Sequence, residues 1–116
     1  MNPSLNEWLT ACAANSGMLG CGVRRPDRSC FSHTAEDIFP HQRMDEALNF
    51  LADSFASFQE RGLAARWLTW AFERGRVRLV ARPDGLLLGL AAQPDSVAAQ
   101  NLDQLAEEFL ALEFGD

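Results

Sequence analysis

The sequence predicts an α/β fold of the α+β type: a five-stranded antiparallel sheet in a three-layer α/β/α arrangement, element order α-β-β-α-β-β-β-α. Three observations carry this expectation. In Arg76–Ala92, RVRLVARPDGLLLGLAA, the residues Val77, Leu79 and Ala81 alternate with Arg76, Arg78 and Arg82, the period of two expected of a half-buried strand. Pro83-Asp84-Gly85 then supplies a fixed φ, a side chain that caps its own turn and a residue free to take positive φ. Leu86–Ala92 follows without a polar side chain, the pattern of a strand covered on both faces. Such a strand needs helices on each side of the sheet.

The remaining elements supply them. Asn2-Pro3-Ser4 reads as a helix start, with Ser4 as cap and Glu7 three residues later. Leu5, Trp8, Leu9 and Cys12 form one apolar stripe at helical spacing, ended by Asn15-Ser16-Gly17. Met18–Arg24 is a strand in which Gly20 and Gly22 either weaken the element or admit a close neighbour. Arg25-Pro26-Asp27 turns the chain into a returning strand, Arg28–His33. After a loop at Thr34–Pro40, a long helix spans His41–Arg61 and is closed by Gly62. Its residues Met44, Leu48, Leu51, Phe55 and Phe58 recur at steps of four, three, four and three, and Ala47, Phe50 and Ala52 widen the stripe. Leu63–Glu73 is a third strand carrying Trp67, Trp70 and Phe72, and Arg74-Gly75 leads into the hairpin described above. Gln93-Pro94-Asp95-Ser96 starts a last helix, capped by Asp95 or Ser96, with Val97, Leu102, Leu105, Phe109 and Leu112 inward.

With short turns, both strand groups are antiparallel, and the first strand lies beside the fifth. This puts the polar-free fifth strand at the centre and the tryptophan-bearing third strand at an edge. Exposed edges invite pairing with another chain, and Trp is an enriched interface anchor. A two-fold dimer through the third strand and the wide central helix is the expected assembly.

The chain has 116 residues and 47% hydrophobic content, which suits a single domain over residues 1–116. No run reaches the roughly 18 apolar residues of a membrane span, and Met1–Asn15 lacks a basic start with an apolar middle; a cytoplasmic protein is expected. The net charge of −6 argues against a nucleic-acid module. All ten basic residues are Arg, and six of them, Arg61, Arg66, Arg74, Arg76, Arg78 and Arg82, cluster mid-chain. The segment after Ala92 carries only acids: Asp95, Asp103, Glu107, Glu108, Glu113 and Asp116. Basic strands beside an acidic helix account for this; a protein-binding face is the sharper alternative. Cys12, Cys21 and Cys30 have no CxxC spacing and read as buried thiols.

The chain resembles the roadblock (dynein light-chain) family. The likeness is carried by Leu5-x2-Trp8-Leu9 before Gly17-Met18-Leu19-Gly20, by the Arg25-Pro26-Asp27 hairpin, and by Arg76–Ala92 running into Leu102-x2-Leu105-Ala106-Glu107-Glu108. It extends over nearly the whole chain in element order and length. It implies profilin-like layering, with the middle helix on one sheet face and the terminal helices on the other. It also implies a dimer through the middle helix and third strand, here about Met44–Phe58 and Ala65–Phe72. The interface residues so assigned are Met44, Leu48, Leu51, Phe55, Phe58, Trp67 and Trp70. Bacterial and archaeal members commonly bind or regulate small Ras-like GTPases, and eukaryotic relatives scaffold GTPases or dynein.

Catalytic signatures are thin. His33 and His41 stand eight residues apart across a loop, and Cys30 beside them lacks an orienting third group. His33, Asp37 and His41 match no metal-ligand spacing. Gly17-Met18-Leu19-Gly20-Cys21-Gly22 lacks the Lys and Ser/Thr of a phosphate loop. Arg74 or Arg76 near a turn suggests an arginine finger, but an exposed strand-end Arg pairing with Asp or Glu is the stronger explanation, and no finger is assigned. No catalytic, cofactor or metal residue is assigned. The expectation is a non-enzymatic homodimeric interaction module for a small Ras-like GTPase or a scaffold. An acidic secretion-type chaperone is the alternative, and it calls for three strands before the central helix. A ligand-binding or enzymatic domain of profilin-like layering ranks third.

Overall fold

The computed structural model describes residues 4–34, 40–62, 67–72 and 75–114. In chain order it holds α1 (Leu5–Ala13), β1 (Met18–Arg24), β2 (Cys30–Thr34), α2 (His41–Glu60), β3 (Trp67–Phe72), β4 (Gly75–Ala81), β5 (Leu87–Ala92), α3 (Val97–Gln100) and α4 (Leu102–Ala111). The strands pair antiparallel in the order β2-β1-β5-β4-β3. Two strands precede α2 and three follow it. β5 is central, and β2 and β3 are the edges.

Local chemistry accounts for the ends of the elements. The Ser4 hydroxyl accepts from the Glu7 amide at 3.1 Å, satisfying one of the orphan donors of α1. The Ser96 hydroxyl does the same for the Ala99 amide at 3.0 Å, so Ser96 rather than Asp95 is the cap of α3. The expected single last helix is broken at Asn101. Its side-chain amide donates to Asn15 Oδ1 at 3.0 Å, tying the break to the end of α1, while its carbonyl accepts from Leu105 and starts α4. The break also corrects the place of Val97, which is 52% exposed, whereas Ala98 is buried. Ala98 donates its amide to the Ser16 carbonyl, which turns that side of α3 inward. Residues 63–66, 73 and 74, at the expected ends of the third strand and in its turn, lie outside the described residues.

Apolar side chains gather in two clusters on opposite faces of the sheet. On one face, Met44, Leu48, Leu51 and Phe55 of α2 meet Leu79 of β4. On the other, α1 and α4 pack over Cys21, Val23, Val80, Leu88 and Leu90. There Trp8, Phe109 and Phe114 form a ring triad with centroids 5.8 to 6.1 Å apart. Strand alternation separates the sets: Leu79 faces α2, and its neighbour Val80 faces α4.

α2 comes close to the sheet because Gly22 and Gly89 stand opposite each other on β1 and β5. A Cβ at residue 89 would lie 2.7 Å from Leu48 Cδ2 and 2.9 Å from Met44 Cε. A Cβ at residue 22 would lie 3.1 Å from Leu48 Cδ1. Leu48 is therefore wedged into a groove that exists only where two side chains are missing.

The β1–β2 and β4–β5 turns share one design. Arg25 donates to the Ser29 carbonyl and Arg28 to the Arg25 carbonyl; Arg82 donates to Leu86 and Gly85 to Arg82 in the same way. Each is a three-residue loop ending in a left-handed residue. Gly85 takes that role at φ 93° and Arg28 at φ 75°. β2 consequently starts at Cys30 rather than at Arg28 as expected, because Arg28 belongs to the turn. The Asp27 carboxylate accepts from the Ser29 hydroxyl and amide, and these bonds, the hydroxyl foremost, hold it below the usual carboxylate range.

Gly89→Ala should destabilise the chain by about 1–3 kcal/mol in urea unfolding, by overpacking against Leu48. In a Leu48→Ala background the same substitution should be much less costly, and a double-mutant cycle reads that coupling. Arg28→Gly should raise stability by about 1 kcal/mol, since an L-residue in the left-handed region is disfavoured. A lower denaturation midpoint for that variant would contradict the strain.

Candidate interaction surface

The residues expected at an interface separate into distinct environments. Met44, Leu48, Leu51 and Phe55 are at most 5% exposed and face the chain's own sheet. Their four-three-four spacing keeps them on a single helix face, and that face is the core. Phe58 is 39% exposed and Phe50 70% exposed. Phe50, two positions from Leu48, is turned away by about 200° on the helix. It falls on an outer stripe with Arg43, Ala47 and Ser54. In the sequence Phe50 widens the apolar stripe beyond one core-facing face, and its angular position is the signal that it lies outside.

The two tryptophans do not share a face. Trp67 is half-buried and packs against the α1/α4 cluster, with the Arg78 guanidinium 5.5 Å from its ring centroid. Trp70 is three residues further along β3 and pairs with Val77, which packs against the α2 cluster. An odd spacing in a strand reverses the face, so Trp70 holds a register position on the α2 side. α2 itself packs over β1, β2, β4 and β5, and β3 continues that face at the sheet edge.

The mid-chain arginines serve the fold. Arg78 donates Nε to Thr69 Oγ1 at 2.8 Å and pairs through Nη1 with Asp103 of α4. Arg82 donates Nη1 to the carbonyls of Phe109 and Leu112, each at 2.7 Å. It also pairs with Asp84 at 3.0 Å, and its guanidinium lies 5.2 and 5.3 Å from the Phe109 and Phe114 ring centroids. A cation on the last carbonyls of α4 fills orphan acceptors and opposes the negative end of the helix dipole. Basic strands beside an acidic helix describe this part of the chain. Arg76 donates to the Gly75 carbonyl, and Arg74 lies outside the described residues.

The groups weighed for catalysis are dispersed. His33 shares a hydrogen bond of 3.0 Å with Asn6 of α1. His41 opens α2, and Asp37 lies outside the described residues. Among the described residues no three His, Cys, Asp or Glu groups are placed to hold a metal ion, and no helix is long and apolar enough to cross a membrane.

Neither a protein-family model nor a curated protein matches the sequence. Among solved structures, the chain is similar to the crystal structure of a Roadblock/LC7 domain from Streptomyces avermitilis. The similarity has a TM-score of 0.58 at 13% identity and covers 90% of this chain and 93% of that one. It extends to the fold.

The thiols differ in access. Cys12 and Cys21 are buried, and burial pushes both up, Cys21 to about 12; Cys21 also donates to the Leu9 carbonyl at 3.3 Å. Cys30 is only partly buried, which corrects the expectation of three buried thiols. Its thiol is raised by burial and then by nearby Asp45. With thiolate as the reactive form, a disulfide reagent at mildly alkaline pH should label Cys30 first. Cys12 and Cys21 should react only as the chain unfolds. Early labelling of either in folded protein, read by mass spectrometry, would contradict their burial.

Proposed function

We propose that this chain, which has the fold of a Roadblock/LC7 domain, is a non-enzymatic, single-domain, homodimeric interaction module acting in the cytoplasm. Its partner is a small Ras-like GTPase or another protein that it scaffolds. The observation that carries this reading is the presence, in one domain-sized fold, of an edge strand, β3, and a helix that leaves Phe50 open on its outer face and Phe58 partly open at its C-terminal end. A large aromatic ring left so open is characteristic of a contact surface, and an unfinished sheet edge invites pairing with another strand. In the dimer, Phe50, Phe58 and the β3 edge with Trp70 form the contact. Met44, Leu48, Leu51 and Phe55 hold α2 in place from beneath, and Trp67 holds β3 from the opposite face.

The presence of two strands before α2 favours this reading over the acidic secretion-type chaperone, which calls for three. Net charge of −6 favours a protein over a nucleic acid as partner.

Sedimentation velocity should find the native chain dimeric. Phe50→Glu together with Phe58→Glu should make it monomeric with little change in thermal midpoint, since both side chains are exposed. A monomeric native chain would overturn the assembly. For the partner, enrichment of one small GTPase in one nucleotide state by the tagged dimer is the expected result. Recovery of varied polypeptides irrespective of nucleotide would point to a chaperone or general scaffold.

A further inference from the structure

On the α1/α4 side of the sheet, where the two turns lie, the chain encloses a cavity of about 420 Å³, within the size range of small-molecule sites. Leu5 of α1, Leu86 and Phe114 form its apolar wall. Phe114 is fixed there by ring contacts with Trp8 and Phe109. Arg25 of the β1–β2 turn, Arg82, Asp84 and Glu113 complete the lining.

These four charges divide into a closed pair and an open one. Arg82 and Asp84 meet at 3.0 Å. Arg82 spends Nη1 on the carbonyls of Phe109 and Leu112, and Asp84 Oδ1 accepts from the Leu86 amide. Arg25 and Glu113 are different. The Arg25 guanidinium lies 4.5 Å from the Phe31 ring centroid on this same side of the sheet, a contact that fixes the group and leaves its in-plane donors unused. Among the described residues Arg25 has no acid within ion-pair distance, and Glu113 has no cation. The other charges of that turn are engaged elsewhere: Asp27 accepts from Ser29, and Arg28 pairs with Asp53 of α2 at 3.6 Å. One cavity is thus lined by a cation and an anion that do not meet.

We infer that this cavity binds a small zwitterion with an apolar side chain, a free apolar amino acid. Its carboxylate lies on Arg25, its ammonium on Glu113, and its side chain against Leu5, Leu86 and Phe114. A guanidinium fork suits a carboxylate. A phosphate or a dicarboxylate would set further negative charge against Glu113 and Asp84. A purely apolar molecule would cover Arg25 and Glu113 and leave both unpaired. An amino acid carries both charges on one carbon, whereas a peptide holds its terminal charges apart. The site lies across the sheet from α2, so it is separate from the copy-to-copy contact and goes beyond the reading of the chain as an interaction module.

L-Leucine is the probe, titrated into the isotopically labelled full chain. The Nε–Hε NMR signal of Arg25 and the backbone amide signals of Leu86 and Phe114 follow the titration. Leucine should move all three along one saturable curve, with a Kd of about a millimolar. Isocaproate, which lacks the ammonium, and isoamylamine, which lacks the carboxylate, should each bind about tenfold more weakly. Arg25→Gln and Glu113→Gln should each weaken leucine by about tenfold. Glu113 is exposed, so its variant tests the site without disturbing the core, and by removing a repulsive charge it should tighten isocaproate. No saturable shift with leucine, isocaproate bound as tightly as leucine, or leucine binding undiminished in Glu113→Gln would overturn the site.

Discussion

Gly22 and Gly89 face each other across β1 and β5, and without side chains there the sheet offers α2 its own backbone. Leu48 fills the gap, flanked by Met44. The consequences extend beyond one contact. The depth of Leu48 sets the height of α2 above the sheet, and its face sets the rotation of α2 about its axis. That rotation sends Leu51 and Phe55 down onto the sheet and Phe50 out to solvent. A fully buried leucine contributes about 1.5–3 kcal/mol, but its larger role is to choose which aromatic ring of α2 stays open to solvent.

The opposite face is held by a different chemistry. There the hydrophobic cluster of α1, α4 and the sheet is tied together by arginines from β4 and the turn that follows it. Arg78 meets Asp103 near the start of α4, and Arg82 takes the carbonyls at its end. β4 and the turn after it thus hold both ends of the acidic helix. The arginines consumed in this way are not available to a partner.

Much of the fold was legible because its signals are local. The alternation of Val77, Leu79 and Ala81, the polar-free run before Ala92 and the Ser4 cap depend on neighbours in sequence, and each element formed where its pattern stood. The break at Asn101 was not legible, since its side chain is tied to Asn15, in the loop after α1 and far off in sequence. The start of β2 was missed because nothing in Arg28 itself announces a left-handed backbone; only the matching turn at Arg82–Gly85, read alongside, hints at it. The surface was less legible still. Apolar periodicity marks the face of α2 that is buried but does not say by what, and Met44, Leu48, Leu51 and Phe55 suited a partner as well as they suited the chain's own sheet.

The sequence by itself determined most of the elements, their order, the β4–β5 turn and the central place of β5, because propensity, periodicity and capping act over a few residues. Tertiary structure alone decided which hydrophobic residues remain outside and which arginines remain unpaired. Those outcomes depend on contacts between residues far apart in the chain: Leu48 with Gly22 and Gly89, Arg82 with Phe109, Arg28 with Asp53. Burial and pairing are properties of the packed set, so the surface that remains is fixed only when every other contact has been made.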